Sequence, residues 1–386
     1  MALSAAALLA ARARTSRELG ARPELVLDGG GNTSVKTPAG DGGPDALLWA
    51  KPSGRDLAEV GAEDFVPLDL AALRARRDGP ALDERGLAAA LDTASVRAGD
   101  PPASIEALLH AWLPARFVDH SHALQVLALG NCAAGEAVLA EVFGARAAVV
   151  PYAESGFPLA LAAAEVFDAS PGNARPEALL LRHHGLFTWA EDADTCLERH
   201  LALCADADAA LDARGAPRPQ PRRAAADGAG TEIGAICAAL SEATGACWVE
   251  AAVDPAFFAL ADAPERAAAG PVTPGDLLRL GLRPLWLERS GAGDVSAALE
   301  AWPEDQAPLS ALAADHAVAF ASGPDPDRAA AAARILEADL ATRLRGSVLG
   351  PWRSLNDADR RAASGSLAEQ VKLARRKASR ATEKRP

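Results

Sequence analysis

The sequence predicts an α/β protein in two parts, a layered α/β domain followed by a smaller α/β domain. Three observations support this prediction. Strand-like segments alternate with helical segments over residues 1–213. A stretch rich in Pro, Arg and Gly, residues 214–229, then has the composition of a linker. The chain of 386 residues also exceeds the ~250–300 residues at which a single core usually stops growing.

The first elements are expected in the following order. A helix over about residues 3–19 ends at Gly20, which is a common helix stop. The segments ELVLD (24–28) and ALLWAK (46–51) are expected to be strands that run into glycine-containing turns. Residues 56–98 look helical, apart from a polar break.

The next elements carry most of the histidines. Residues 103–112 have helical periodicity, and Ser104 is placed to cap that helix. RFVDHSHALQVLAL (116–129) predicts a strand that leads into a helix. AAVVPY (147–152) and ALLLRHHGLFTWA (178–190) favour β structure, and a helix with an acidic start is expected over 193–213.

The second domain is expected over residues 230–372, followed by a basic tail over 373–386. Three of its segments are predicted strands: CWVEAAV, PLWLE and HAVAFAS. Its role is unknown, because His316 is its single histidine and no metal-ligand types cluster. One hypothesis is a degenerate second copy of the first fold, with AVAFASGPDPD in the place of HHGLF.

Composition excludes several classes of function. A net charge of −13 argues against general affinity for nucleic acid, which needs a basic face. The five cysteines show no CxxC spacing, so neither a disulfide framework nor a thiolate zinc site is expected, and a reducing cytoplasm fits. The N-terminus lacks a basic residue before its apolar run, so an amphipathic helix is expected there rather than a signal peptide. No long apolar run predicts a membrane span.

Histidine placement indicates a metal site. Six of the seven histidines lie between positions 110 and 200. His120 and His122 are two residues apart on a predicted strand, so both rings point to one face. The pair His183-His184 before a glycine offers a third imidazole, and three histidines with an open position are typical of a catalytic zinc site. The alternative is that His183 and His184 merely flank a turn and form hydrogen bonds.

Other residues are candidates with weaker patterns. Glu106 lies one helical turn before His110 and is a candidate general acid/base, although the same pattern fits a surface helix residue. The turns Gly30–Ser34 and Pro52–Gly54 offer backbone N–H groups and hydroxyls suited to a phosphate. A tight turn that needs positive φ explains the glycines equally well.

Taken together, the segments resemble the class II aldolase/adducin family. GGGNTSVK, KPSGRDLAEV, PASIEALLH, RFVDHSHA, VVPYAESGFPLA and LLLRHHGLFTWA occur in that family's order, over about residues 10–212. The likeness is strongest to the aldolase half of bifunctional rhamnulose-1-phosphate aldolase/alcohol dehydrogenases. It implies a three-layer α/β/α domain over residues 1–213. No GxxxGxG nucleotide turn follows, so no hydride chemistry is expected.

The resemblance also implies roles for individual residues. The family's metal ligands, which bind zinc, fall on His120, His122 and His184, and its catalytic carboxylate falls on Glu106. Its substrate-phosphate contacts fall on four residues: Asn32, Ser53, Gly54 and Ser104. Ile105 stands where related aldolases have a second serine. A tyrosine that donates a proton in some relatives has no evident counterpart, since Tyr152 belongs to a different block.

The implied reaction is retro-aldol cleavage of a ketose 1-phosphate, such as rhamnulose 1-phosphate, with a metal-stabilised enediolate. No Schiff base is needed, so Lys36 and Lys51 stay out of covalent chemistry. Two alternatives are an epimerase or dehydratase that uses the same metal site and a non-catalytic, adducin-like interaction module. The expected partners are a sugar phosphate and further copies of the chain in a homo-oligomer, with no nucleic acid and no membrane.

Overall fold

The computed structural model describes residues 4–38, 45–170, 175–221, 230–303 and 306–364, which divide into two units. Within these ranges the first unit extends to Gly130 and resumes over Glu136–Asp208, and the second takes Asn131–Gly135 and the chain from Ala209 onward. The predicted linker is described only as far as residue 221, and the predicted basic tail lies outside the described residues. The domain limits drawn from the sequence therefore stay predictions.

The first unit contains eight helices among its described residues. They are α1 (Ala5–Gly20), α2 (Leu70–Ala75), α3 (Glu84–Ala94), α4 (Ala107–Trp112), α5 (Leu124–Gly130), α6 (Gly135–Phe143), α7 (Phe157–Ala169) and α8 (Ala193–Ala213), the last of which runs on into the second unit. The strands are β1 (Asn32–Pro38), β2 (Asp45–Ala50), β3 (Val66–Asp69), β4 (Phe117–Ser121), β5 (Ala147–Val150), β6 (Ala178–Leu181) and β7 (Gly185–Ala190).

These strands form one sheet with the order β3-β2-β1-β4-β7-β6-β5. All neighbouring strands are antiparallel except β5 and β6, which are parallel. In this register Asn32 of β1 lies opposite His120 of β4, and His120 lies opposite Phe187 of β7. The sheet therefore brings the predicted site segments together at its three middle strands.

Helices cover both faces of the sheet, which confirms the predicted three-layer α/β/α architecture. Alternate residues of β4 go to opposite cores, as the two-residue period of a strand requires. Val118 packs in the core that includes residues of α3, α4 and α7. Phe117 packs on the other face with Leu8 of α1 and Cys196 of α8. His120 shares the face of Val118, and Asp119 shares the face of Phe117.

Three local predictions are wrong. Residues 24–28 form turns rather than a strand, and Asp28, Gly29 and Gly31 have positive φ. Residues 66–69, predicted helical, form β3, because they pair with β2 at the sheet edge. The helix predicted from residue 103 begins only at residue 107, because Ala103 forms a β-bridge with Pro52.

The second unit contains a smaller sheet. Its helices are α9 (Gly230–Thr244), α10 (Ala263–Ala268), α11 (Leu277–Leu280), α12 (Ala292–Glu300), α13 (Pro326–Gly346) and α14 (Asp357–Ser364). Its strands are β8 (Cys247–Ala251), β9 (Leu285–Leu287), β10 (Ser310–Ala313) and β11 (Val318–Gly323), with the order β8-β11-β10-β9. The predicted α/β character is confirmed, although β10 has no counterpart among the predicted strands.

The strand order of the second sheet repeats part of the first. In β8-β11-β10-β9 the successive pairings are antiparallel, antiparallel and parallel, as they are in β4-β7-β6-β5. Along the chain, the last two strands of each series form a hairpin, β6–β7 or β10–β11, and a helix of 21 residues follows it, α8 or α13. The repeat supports the hypothesis of a degenerate second copy. Among the described residues, no helix is long and apolar enough to span a membrane.

A buried ion pair ties α1 to the middle of the first sheet. Arg12 of α1 lies 2.6 Å from the Asp119 carboxylate, and both side chains are fully buried. Its guanidinium also donates to the carbonyl oxygens of Ser34 in β1 and Val118 in β4, both at 3.4 Å. One side chain thus contacts the two neighbouring strands that carry Asn32 and His120.

We expect the substitution Arg12→Ala to lower the free energy of unfolding by about 3–5 kcal/mol, because it leaves the Asp119 carboxylate buried without a counter-charge. Arg14 is a matched control on the same helix, since its ion pairs with Glu18 and Asp194 are exposed. Arg14→Ala should change stability by less than about 1 kcal/mol. Denaturant unfolding followed by circular dichroism measures both variants, and equal losses would contradict a structural role for Arg12.

Candidate metal centre

His120 is held in the form that suits a metal ligand. It lies in β4 and is completely buried. Its Nδ1 lies 3.1 Å from the Leu186 carbonyl oxygen, so Nδ1 carries the proton and donates it. Its Nε2 is then an unprotonated nitrogen, and this buried atom has no hydrogen-bond partner. Burial lowers the pKa of His120 to about 3, with the Glu106 carboxylate opposing that effect, so the ring is neutral at physiological pH.

His122 follows β4 directly, and a glycine turn lies against its ring. Its backbone N–H donates to the Leu25 carbonyl at 3.0 Å. A Cβ at Gly30 would lie 3.3 Å from His122 Nδ1 and 3.0 Å from the Leu27 carbonyl oxygen. The absence of a side chain at Gly30 therefore leaves room for the ring, which explains part of the GGGN motif without a phosphate.

His184 is placed by the tight turn between β6 and β7. Leu181 pairs with Gly185, so three residues, 182–184, close the hairpin. His183 has a φ of 56°, which turns the chain, and the ring of His183 contacts Tyr152. Gly185 has a φ of 147°, and a Cβ there would overlap the Ser121 carbonyl oxygen. The glycine after the histidine pair thus lets the hairpin approach β4.

The rings of His120, His122 and His184, called here the three-histidine group, converge. One potential ligand nitrogen from each residue lies within 4.8 Å of the other two. Two rings near the middle of the sheet and a third on an adjacent hairpin are a donor set that could hold a divalent metal ion. The orphaned Nε2 of His120 fits such an ion, because a buried nitrogen otherwise loses a hydrogen bond without compensation. The same grouping occurs nowhere else among the described residues.

Glu106 lies directly beside the three-histidine group. It is buried and precedes the first residue of α4, but its carboxylate does not cap that helix. One oxygen lies 2.5 Å from His184 Nε2, and the other lies 3.6 Å from His120 Nε2 and accepts a hydrogen bond from Asn32 Nδ2. Burial raises the pKa of Glu106, but the two histidines and the hydrogen bonds from His184 and Asn32 outweigh it, so the pKa lies well below its usual range. The group is therefore an ionised base.

The residues expected to contact phosphate lie on loops that are joined to one another. The Ser53 N–H donates to the Pro102 carbonyl at 2.9 Å, and the Ser104 N–H donates to the Lys51 carbonyl at 3.1 Å. These bonds flank the bridge between Pro52 and Ala103 and place the two serine loops side by side. Gly54 has a φ of 83°, as the turn requires. The Ser104 hydroxyl accepts a hydrogen bond from the Glu106 N–H at 3.3 Å. It therefore does not cap the helix over residues 103–112 that the sequence predicts.

Other predicted phosphate groups are engaged elsewhere. The side chain of Asn32 bonds to Glu106 and to His110, whose Nε2 lies 2.5 Å from Asn32 Oδ1. The Thr33 hydroxyl bonds to Ser16, and the Ser34 hydroxyl bonds to His110. The hydroxyls of the first glycine turn therefore serve the interior of the protein.

Several supporting residues were not predicted from the sequence. The sequence shows only that His110 lies one helical turn after Glu106, and it gives no sign that Arg12 and Asp119 support the site. His200 of α8 is fully buried between the Ser121 hydroxyl, at 2.7 Å, and the Thr188 hydroxyl, at 2.9 Å. The alternation in Asp119-His120-Ser121-His122 was the available signal, because it puts two polar residues on the face opposite His120.

The chain belongs to the class II aldolase/adducin family. The family described as class II aldolase and adducin N-terminal domain matches residues 10–211, more than half of the sequence. A protein of Bacillus subtilis named uncharacterized oxidoreductase YuxG is 33% identical over 182 residues, which are 47% of this chain and 26% of that protein. The match thus spans about a quarter of the length of this curated relative.

Solved structures of this type are also similar. The N-terminal class II aldolase domain of a conserved protein from Thermoplasma acidophilum is 30% identical, covering 54% of this chain and 94% of that one, with a TM-score of 0.47. An L-fuculose-1-phosphate aldolase from Thermus thermophilus is 21% identical, covering 53% and 93%, with a TM-score of 0.36. A sugar-phosphate aldolase from Thermotoga maritima is 17% identical, covering 52% and 95%, with a TM-score of 0.38.

We expect Gly185→Ala to lower stability by about 1–3 kcal/mol or more, because the new methyl group overlaps the Ser121 carbonyl oxygen. The hairpin that carries His184 must then move, so any affinity of the three-histidine group for a divalent metal ion should fall as well. Gly99→Ala is the control: its φ of 85° is also positive, but nothing lies within 4 Å of its Cβ position. Thermal unfolding and zinc titration compare the two variants, and equal effects would show that backbone strain alone is responsible.

Proposed function

We propose that the chain is a metal-dependent, class II aldolase that cleaves a ketose 1-phosphate, such as rhamnulose 1-phosphate, to dihydroxyacetone phosphate and an aldehyde. The observation that carries the proposal is the Glu106 carboxylate, buried and ionised, beside the three-histidine group. Membership of the class II aldolase/adducin family supports it. We further propose that the metal is zinc, since three histidine nitrogens with an open position suit that ion.

The proposed division of labour follows from the placed groups. His120, His122 and His184 would hold the ion. A divalent ion bound there supplies Lewis-acid polarisation of the ketose oxygens. Cleavage breaks the bond between C3 and C4, removes the proton of the C4 hydroxyl and adds a proton to C3. Glu106 carries the proton to C3, and takes it from C3 in the reverse direction, because it is the buried carboxylate beside the ligands.

We assign the phosphate end of the substrate to the paired serine loops. Ser53, Gly54 and Ser104 offer backbone N–H groups and hydroxyls in adjacent segments. Asn32 is kept in this set, with its side chain also bonded to Glu106. Ile105 packs against the apolar core and has no donor, so the phosphate would receive one hydroxyl fewer than in related aldolases.

We further propose that the protein forms a homo-oligomer in the cytoplasm. The family resemblance supports the homo-oligomer. None of the five cysteines, all of which lie within the described ranges, forms a disulfide, which agrees with a reducing compartment.

We expect the metal-loaded protein to convert rhamnulose 1-phosphate to dihydroxyacetone phosphate and lactaldehyde, detected by mass spectrometry. Glu106→Gln keeps the shape of the side chain but removes the base, so kcat should fall by about 100-fold or more. Detection of an epimer or a dehydrated sugar phosphate without cleavage would replace the aldolase proposal by one of those reactions on the same site.

We also expect about one zinc ion per chain, and we expect His122→Ala to lower zinc affinity by at least about 10-fold, because one of three protein ligands is lost. His316→Ala is a suitable control, since that histidine lies in the second unit and is partly exposed. Elemental analysis and zinc titration provide the measurement. Zinc far below one ion per chain, unrestored by added metal, would favour the non-catalytic interaction module.

A further inference from the structure

One face of β1 is polar although it is buried. Asn32, Ser34 and Lys36 alternate along the strand and therefore point to the same side. Each of them engages α4 or its ends: Asn32 bonds to Glu106 before the first turn and Ser34 bonds to His110 in the middle. Lys36 Nζ donates to the carbonyl oxygens of Leu113 and Ala115, at 2.5 and 2.6 Å, just after the last turn. The strand thus fixes the short helix at three points.

The first two contacts form a continuous chain of hydrogen bonds that ends on Glu106. Ser34 Oγ lies 2.8 Å from His110 Nδ1, and His110 Nε2 lies 2.5 Å from Asn32 Oδ1. Asn32 Nδ2 then donates to Glu106 Oε2. All four side chains are buried, so water does not substitute for a lost partner without cost.

The protons of this chain have a single consistent arrangement. The Glu106 carboxylate is an acceptor, so the Asn32 amide must present its NH₂ group to it and its oxygen to His110. His110 must therefore donate from Nε2. Burial lowers the pKa of His110 to about 3, so the neutral ring carries one proton, and Nδ1 accepts from the Ser34 hydroxyl. The opposite tautomer would turn the Asn32 oxygen towards the carboxylate and create repulsion.

We propose that His110 is a positioning residue for the reaction: by donating from Nε2 to Asn32 it fixes the amide orientation that holds the Glu106 carboxylate beside the three-histidine group. The inference rests on the proposed aldolase function for its kinetic part. His110 itself acts only through Asn32. The Ser34 hydroxyl selects the tautomer, so Asn32 and Ser34 of the GGGNTSVK segment have a role that is separate from phosphate binding.

Two isosteric substitutions separate this role from simple packing. In His110→Gln the side-chain amide nitrogen occupies roughly the place of Nε2 and keeps the donor to Asn32. In His110→Asn the amide reaches only the place of Nδ1, so the bond to Ser34 is kept and the donor to Asn32 is lost. Both variants are polar and of similar size. His110→Phe keeps the edge contact with Phe187, whose ring centroid lies 5.3 Å away, and removes both bonds.

We expect His110→Asn and His110→Phe to lower kcat by about 10- to 100-fold, because a Glu106 carboxylate that is no longer held by Asn32 moves the reacting proton less efficiently. His110→Gln should retain kcat to within about threefold. In an Asn32→Ala background, His110→Asn should lower kcat by less than a further twofold, because Asn32, the link between His110 and Glu106, is already missing. Equal losses in the Gln and Asn variants, or additive losses with Asn32→Ala, would overturn the proposal.

A second measurement does not depend on activity. NMR of ¹⁵N-histidine-labelled wild-type protein, assigned with the His110→Gln variant, identifies which ring nitrogen of His110 carries the proton. Protonated Nε2 is expected, and protonated Nδ1 would overturn the proposal. If the wild-type protein cleaves no ketose 1-phosphate, the proposed function fails, while the tautomer still decides whether His110 orients Asn32. Thermal unfolding of each variant identifies any variant that does not fold. If His110→Asn or His110→Phe does not fold, the one that folds is compared with His110→Gln.

Discussion

The position of β4 between β1 and β7 is the constraint on which the first unit depends, and the buried pair of Arg12 and Asp119 secures it. The guanidinium bonds to carbonyl oxygens of both β1 and β4, so it fixes their register as well as neutralising Asp119. A slip of one residue would exchange the faces of His120 and Asp119 and so take His120 away from His122, His184 and Glu106. Burying this charge pair has a desolvation cost, but the same pair fixes the position of His120 relative to Asn32.

Around that strand, the other residues of the centre are held in place by contacts with segments that are distant in the sequence. His184 depends on the close approach of Gly185 to Ser121, which only a residue without Cβ permits. Glu106 lies before α4 because Ala103 is held extended against Pro52, so the helix cannot start earlier. These contacts join segments that are far apart in sequence. They bring three imidazole rings and one carboxylate together in a largely buried region, where electrostatic interactions are stronger than in water.

The same facts explain what could be predicted from the sequence. The pairing of His120 with His122 follows from the two-residue period of a strand, and the layered fold follows from the alternation of apolar segments. The sequence predicts the first strand at ELVLD, which is apolar, and not at the polar segment NTSVK. The strand is nevertheless β1, because its buried face consists of the polar residues Asn32, Ser34 and Lys36. Hydrophobic patterning fails at such a strand, since its partners are hydrogen-bonding groups on α4. Glu106 could be singled out only by family resemblance, because no local pattern distinguishes it from a surface glutamate.

The second unit shows how little of the centre belongs to the fold itself. By strand register, Ala319 and Ala251 occupy the places of Leu186 and Ser121, so His120 and His122 correspond to Glu250 and Ala252. The hairpin between β10 and β11 has a single histidine, His316, and its positive φ lies at Ala317, directly before β11, whereas the first unit has it at His183, two residues before β7. In the second sheet this strand order therefore occurs without histidines at the places of His120 and His122 and with Val318 at the place of Gly185. A strand order needs only apolar cores, whereas the three-histidine group needs each donor and each close approach at once, so the strand order alone does not imply such a group.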